Sequence, residues 1–410
     1  MPRGRSVPPA WLLALPMLSF GMTIGFVIVT LPQMLAAQGI PGGRIAVLVA
    51  VVTTPTFWGF LFAPILDVRF RRRTYAGIFA VVASAATALA VLHHSRLAAV
   101  EALMLVGVAA IGKYGEAIGG WTGSLVDPAH NTRLGAWITA CNIGGGGAGI
   151  LFSGYVTQRF APQTAAALIF VVLLAPLAVF PLIPAPAPDA TLASESFGRF
   201  AREVASLLRR REVLIALALF TLPSASFSLT NVLGGWGSGF HADPALVSLL
   251  GGAGSVVAGI VGCSLVPSIA RRVPLRPLYL SIGLVGAAFT LGLLLLPHTP
   301  WTYGVAFVGE NVFQAAAISV ATAIAFEIIG PGNPLAATIY ALLLSAGNLP
   351  IDYMEIVDGR GYVWRGVGGA FLADAVVSGG ACVVLVIVLR RRIFRTGTSV
   401  LARQGASATR

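Results

Sequence analysis

Charge is what this chain has least of. Only 10% of its 410 residues are Asp, Glu, Lys or Arg, against roughly 25% in an ordinary soluble protein. Lysine occurs once, as Lys113. With 57% hydrophobic residues and a mean hydropathy of +0.86, a soluble globular domain is excluded. Cysteine is nearly absent too. Cys141, Cys263 and Cys382 lie inside apolar runs without metal-ligand spacing, and read as small core hydrophobes with no disulfide role. The histidines, His93, His94, His130, His241 and His298, are scattered in or near loops. No Ser/His/Asp or HExxH arrangement is present, which argues against a membrane-embedded enzyme. No nucleotide-binding domain or cofactor motif is found, so ATP-driven transport would require another chain.

What fills the sequence instead is a series of apolar runs of about 20 residues, each long enough to cross a bilayer as a helix. Twelve are recognisable, near 10–32, 44–66, 74–93, 98–126, 134–158, 164–184, 213–234, 246–270, 277–297, 300–329, 334–354 and 366–389. A transmembrane β-barrel is excluded, because its strands are shorter and alternate in polarity. The first run is long enough to span and lacks a small-residue cleavage site, so it is expected to be retained. The expected fold class is an all-α membrane protein.

The net charge of +12 reports topology rather than nucleic-acid binding. Arg3, Arg5, the run Arg69/Arg71/Arg72/Arg73, Arg133, the arginines between 199 and 211, Arg271, Arg272, Arg276 and those from Arg390 onward fall on one side. Arg44, Arg96, Arg159, Arg360 and Arg365 fall on the other. The positive-inside rule then puts both termini in the cytoplasm, which an even number of spans allows by placing both ends on one side. The inner membrane is the expected location, and a monomer the expected state.

The fourth run carries Gly112-Lys113-Tyr114-Gly115-Glu116. At 1.5 Å per residue Lys113 lies roughly 20 Å from the start of that run, near the middle of a hydrocarbon core about 30 Å thick. A central lysine costs about 2.5–3.5 kcal/mol on insertion scales, so it needs a cavity or a partner. Glu116, three residues on, shares its helical face, and Gly120 and Ser124 continue the stripe. A buried ion pair and a substrate or proton site are both open readings.

Elsewhere in the first half, Thr53-Thr54-Pro55-Thr56 marks a kink or a moving gate. Asn142-Ile143 leads into Gly144-Gly145-Gly146-Gly147-Ala148-Gly149. Such glycine runs let helices approach closely, and Gly251, Gly252, Gly254, Gly259 and Gly262 in the eighth run offer a matching surface. They are no phosphate loop, since no strand precedes them and no Lys-Ser/Thr follows. Between 184 and 211 hydrophobicity falls. Phe197, Phe200, Val204, Leu207 and Leu208 there form one apolar face among arginines, as in a helix lying on the membrane surface. The domains predicted are a bundle over 1–184, a cytoplasmic linker over 185–211 and a second bundle over 212–410.

The turn Ala63-Pro64-Ile65-Leu66-Asp67-Val68-Arg69-Phe70-Arg71-Arg72 resembles the signature loop of the major facilitator superfamily. Asp67, Arg71 and Arg72 match its acid and paired basic positions. Ala63, Val68 and Phe70 depart from both its glycines and its first basic position. The resemblance implies two six-helix bundles related by a six-plus-six duplication, packing of the fifth and eighth helices, and a loop that latches one alternating-access state.

In the second half, Ser224, Ser228 and Asn231 follow Pro223 at helical spacing and suit a cavity wall. Glu310, Asn311 and Gln314 sit in the tenth run, the repeat counterpart of the fourth, with Glu310 roughly 15 Å deep at 1.5 Å per residue. Transporters of this architecture place substrate and coupling-ion sites near the midplane. The eleventh run ends Ser345-Ala346-Gly347-Asn348-Leu349-Pro350-Ile351-Asp352, with Asp358-Gly359 beyond and Asp374 in the twelfth. These residues resemble the branch that holds AmpG-like muropeptide permeases, acetyl-CoA transporters and siderophore permeases of the RhtX/FptX type. The chain's length fits the last better. Asp352 and Asp358 are expected at the outer water interface, and Asp374 inside.

The resulting expectation is a proton-coupled secondary transporter of a small polar or amphipathic solute. Lys113, Glu116, Glu310, Asn311, Gln314, Asn348 and Asp374 are its candidate substrate and proton residues, and Asp67, Arg71 and Arg72 its gating loop. Trp121, Trp236 and Tyr340 are either ligand-facing aromatics or core. Protons, a small-molecule substrate and membrane lipid are the implied partners. Siderophore import, muropeptide import, proton-driven efflux and a sensor that moves nothing remain open.

Overall fold

The computed structural model describes residues 8–186 and 205–407. Arg3, Arg5 and the stretch from Phe197 to Val204 fall outside the described residues. The described chain is helical and contains no strand. Its helices are α1 (10–37), α2 (42–67), α3 (Arg72–Leu92), α4 (Leu97–Gly123), α5 (Asn131–Arg159), α6 (Pro162–Leu182), α7 (211–240), α8 (244–269), α9 (Leu275–Leu293), α10 (Pro300–Ile329), α11 (336–364) and α12 (367–407). Among the described residues eight stretches are long and apolar enough to cross a membrane, the last holding both α11 and α12. The shortfall from twelve has physical causes: prolines break α2 and α7, and glycine dilutes the hydropathy of α5.

The boundary between α11 and α12 is a single irregular step. Arg365 leaves the helical region and Gly366 takes φ +62° with ψ −153°, a conformation essentially confined to glycine. The helix α11 therefore runs on past Pro350 and Asp352 to about residue 364, ten residues beyond the sequence expectation. Other termini follow ordinary rules. Pro162, Pro244 and Pro300 start their helices, where a missing N–H costs nothing. The Asp243 side chain caps α8 through the amide of Ala245 at 2.8 Å.

The kink in α2 has a local explanation. Pro55 lacks the N–H that would bond to the carbonyl of Val51, and the Thr54 hydroxyl donates to that carbonyl at 2.8 Å instead. Thr53 and Thr56 satisfy further carbonyls in the same turn. A 3₁₀ stretch, Gly59–Asp67, follows.

Two compact units are distinguished: Met1–Leu214 with Ala325–Ser345, and Ile215–Ile324 with Ala346–Arg410. The end of α10 and the start of α11 group with the first unit by their contacts. Within the first unit α1 and α5 pack backbone to backbone. A Cβ at Gly145 would meet Leu18 and one at Gly149 would meet Met22, while Gly21 and Gly25 face Asn142 and Gly146. Within the first unit, the close approach of the α5 glycines is therefore to α1. Gly262 of α8 packs against Val312 and Ala315 of α10, and Gly144, Gly251 and Gly252 face open space. The interior of the first unit is filled by Phe26, Leu31, Leu48, Val91, Met104 and Ile169, and that of the second by Leu229, Phe240, Tyr303, Phe307 and Phe371. Many large apolar side chains remain exposed, Val171, Val257 and Leu295 among them, as a bilayer-facing surface requires.

Candidate functional sites

In the first unit, α4 presents Lys113 and Glu116 one turn apart, and they form an ion pair. The Lys113 ammonium also donates to the carbonyl of Gly59 in α2. Glu116 is buried, and the lysine side chain keeps 12% of its surface. Gly59 makes room for both: a Cβ there would stand 3.3 Å from Glu116 Oε1 and 3.4 Å from Lys113 Nζ. The rest of the predicted stripe diverges. Gly120 abuts Ala337, and Gly119 and Gly123 face Tyr340 and Phe326, so these glycines serve close packing against the start of α11 and the end of α10.

The turn between α2 and α3 forms a second cluster in the same unit. Asp67 is buried, and its Oδ1 takes the Arg72 Nε at 2.8 Å and the Ala337 amide at 3.1 Å. Its Oδ2 takes the Thr338 amide at 2.8 Å and the Thr338 hydroxyl at 2.7 Å. A carboxylate at this point satisfies two of the free amides that open α11 and faces the positive end of its dipole. Arg72 continues to the carbonyls of Asn333 at 3.0 Å and Pro334 at 2.7 Å. Arg71 is exposed at the N-terminal end of α3 and stands apart from this network. The left-handed residue of the turn is Arg69, at φ +70°. A cavity of about 260 Å³ lies alongside, with Phe70, Arg73, Trp121 and Asn333 in its wall. Trp121 is core, donating to the Pro184 carbonyl at 2.7 Å and set edge-on to Phe180. Tyr340 is likewise buried and stacked on Phe326.

The second unit holds a buried acidic site around a break in α7. Helix geometry stops after Thr221 and resumes at Leu229, and Phe227 adopts φ +49°. Ser228, at the end of the break, donates to Asp358 Oδ2 at 2.6 Å and lies 3.3 Å from Asp374 Oδ1. Glu310 of α10 accepts from the Thr290 hydroxyl of α9 at 2.6 Å, and its other oxygen has no partner among the described residues. Asp374 and Asp358 act on Glu310 electrostatically. Gln314, one turn beyond Glu310, reaches Thr230 at 2.7 Å. Asn231 donates to Glu355 at 2.7 Å. Asn311 is turned back to the Phe307 carbonyl of its own helix, and Asn348 is half-buried on α11. Trp236 stacks on Tyr362 at 4.7 Å.

Asp358 corrects the sequence expectation. It is fully buried rather than at the outer water interface, because α11 continues through it. Asp352, Glu355 and Asp358 at steps of three carry a helical signal, but their polarity at and beyond the end of an apolar run near 354 places Asp352 and Asp358 at the outer interface in the sequence reading. Thr290 and Gly59 are also part of these sites and were not among the predicted site residues, and Ser228 was read only as one of three polar residues suited to a cavity wall. Their relevance depends on partners distant in sequence.

The sequence matches the model of the Major Facilitator Superfamily over residues 13–351. A comparison with curated proteins finds no match. Among solved structures, the human organic anion transporter MFSD10 (TETRAN) aligns with a TM-score of 0.67 and 16% identity, covering 92% of this chain and 100% of that one. A single-residue variant of the E. coli fucose:proton symporter FucP gives 0.68 and 14%, covering 93% and 98%. The proton:xylose symporter XylE, bound to a bromodeoxyglucose, gives 0.65 and 13%, covering 94% and 95%. At such identities the likeness is one of fold.

Proposed function

The chain belongs to the Major Facilitator Superfamily, a family of transporters, and on that premise we propose that it moves a small polar or amphipathic solute across the inner membrane by alternating access coupled to protons. The observation that carries the coupling is the burial of Glu310, with one oxygen unpartnered among the described residues and the acids Asp374 and Asp358 acting on it. A membrane-buried site made of acids must draw its neutralising charge from outside the protein, and a proton is the carrier that a single carboxylate oxygen can hold. In the first unit, Lys113 has committed two of its three N–H groups, to Glu116 and Gly59. The third is free for an acceptor on the cargo, which favours a solute with an anionic or carbonyl group. Asp67 and Arg72 act in this reading as the latch of one access state, through the start of α11. The residues Asn348-Leu349-Pro350 and Asp358-Gly359 favour import of a siderophore or a muropeptide within that class.

The test is uptake into proteoliposomes with imposed pH gradients of either sign. The panel is a ferric siderophore, an anhydromuropeptide and a common efflux substrate, with Glu116→Gln, Glu310→Gln and Lys113→Ala beside the wild type. Accumulation of one cargo on the alkaline side, lost in Glu310→Gln, supports the reading. Movement that ignores the gradient and is equal in all variants overturns it.

A further inference from the structure

We propose that Asp358, Ser228 and Asp374 form one proton-holding unit, in which two carboxyl groups share a proton through the serine hydroxyl that the break in α7 presents. This rests on the proton-coupled reading of the second unit and names the residues that hold the proton there. The argument begins with an inventory of hydrogens. A serine hydroxyl has one hydrogen to donate and lone pairs to accept with. Ser228 Oγ faces Asp358 Oδ2 at 2.6 Å and Asp374 Oδ1 at 3.3 Å. With both carboxyls ionised, only one of these contacts has a hydrogen in it, and the other sets two acceptors against each other. One proton on the pair repairs this. Asp374 O–H then donates to Ser228 Oγ, and Ser228 O–H donates to Asp358. The mirror arrangement, Asp358 to Ser228 to Asp374, is equally closed. Passing between them moves the Asp374 proton to Ser228 and the serine proton to Asp358, so one proton is transferred and no charge is separated.

The backbone is built to hold the hydroxyl in this position. Pro223 interrupts α7, and Phe227, a bulky residue, is held at φ +49° immediately before Ser228, a conformation that persists only when its surroundings enforce it. They do so here. The Phe227 ring lies against Gly286, where a Cβ would collide with it, and stacks on Phe313 with centroids 5.8 Å apart. Discontinuous helices of this kind supply ion sites in other membrane transport folds.

Among the described residues, Glu310 on α10 and Glu355 on α11 act on the pair electrostatically, and both are acids. The α9 side contributes the neutral Thr290, bonded to Glu310. Asp358 Oδ1 and Glu310 Oε2, both buried, have no hydrogen-bond partner among the described residues. They are acceptors waiting for a hydrogen. Glu355, half-buried and bonded to the exposed Asn231, lies three residues before Asp358 on α11, and Glu310 is fully buried. The unit thus has one partly exposed and one fully buried acid among the groups it interacts with.

The test uses protons alone, on the purified full chain in lipid, in a Glu310→Gln background that removes the neighbouring acid. Infrared difference spectra are recorded across pH in light and heavy water. We expect a carboxylic C=O stretch that shifts in heavy water, disappears in Asp358→Asn together with Asp374→Asn, and titrates at a proton concentration at least tenfold different in Ser228→Ala. Ser228→Thr keeps the hydroxyl and restores the parent titration. Absence of the stretch, its survival in the double Asp variant, or identical titrations in Ser228→Ala and the parent would each overturn the proposal. The two serine variants keep the test decisive where an aspartate variant fails to fold. No cargo enters the measurement. A failure here with gradient-driven uptake intact therefore removes the shared proton alone, and a normal infrared result without such uptake removes the coupling reading alone.

Discussion

Asp67 directs both carboxylate oxygens at the first turn of α11 and shares one of them with Arg72. An N-cap is worth about 1 kcal/mol and a hydrogen bond to a charged group about 1.5–3 kcal/mol, so Asp67→Ala should lower stability by about 3 kcal/mol, more than Thr338→Val, which removes one bond at about 1.5 kcal/mol. Thermal unfolding of the two variants side by side checks the order, and equal losses would refute it. Lys113 and Glu116 give a second residue-scale prediction. Breaking a buried pair from one side costs about 3–5 kcal/mol, while replacing both members with apolar residues is often neutral. Lys113→Met should therefore destabilise strongly, and Lys113→Met with Glu116→Leu should recover most of the loss. If the double variant melts no higher than the single, the pair is not the source of the effect. At this scale the sequence was informative about which residues are unusual. The lone lysine, its glutamate three residues on, and Asp67 were visible because charge is so scarce. The pairing of Ser228 with acids 130 and 146 positions away was not, since nothing local marks a serine as a bridge.

Among the elements, the glycines of α5 are the most exposed to test. Gly149 lies where a side chain would run into the Met22 backbone of α1, while Gly144 faces open space. Gly149→Val should abolish stable expression, and Gly144→Ala should be tolerated, with a gain of up to about 1 kcal/mol from helix propensity. Monodisperse elution of both variants in equal yield would show that α1 and α5 do not need their close approach. The α5 run was legible as a packing surface, because so much glycine in a spanning helix has little other use. Which helix it packs against was not, since any helix brought near would satisfy the same pattern. The length of α11 was misread for a related reason. The apolar run ends near 354, where hydropathy falls, and the helix continues to the irregular step at Arg365 and Gly366.

For the whole molecule, the arginine distribution predicts a cytoplasmic carboxy terminus. A fluorescent protein fused there should be bright and an alkaline phosphatase fused there inactive, and the reverse would invert the topology. Class and span number were determined by the sequence itself, because in a bilayer each segment must satisfy its own backbone and be long enough to cross, conditions that are local and read directly from hydropathy. The tertiary structure decided which buried polar groups meet. It grouped Ala325–Ser345 with the first unit, brought Asp67 to the amides of residues 337 and 338, and enclosed Asp358, Ser228 and Asp374 in the second unit. Those contacts depend on distances through space, and hydropathy carries no information about which faces of twelve apolar helices will be turned toward one another.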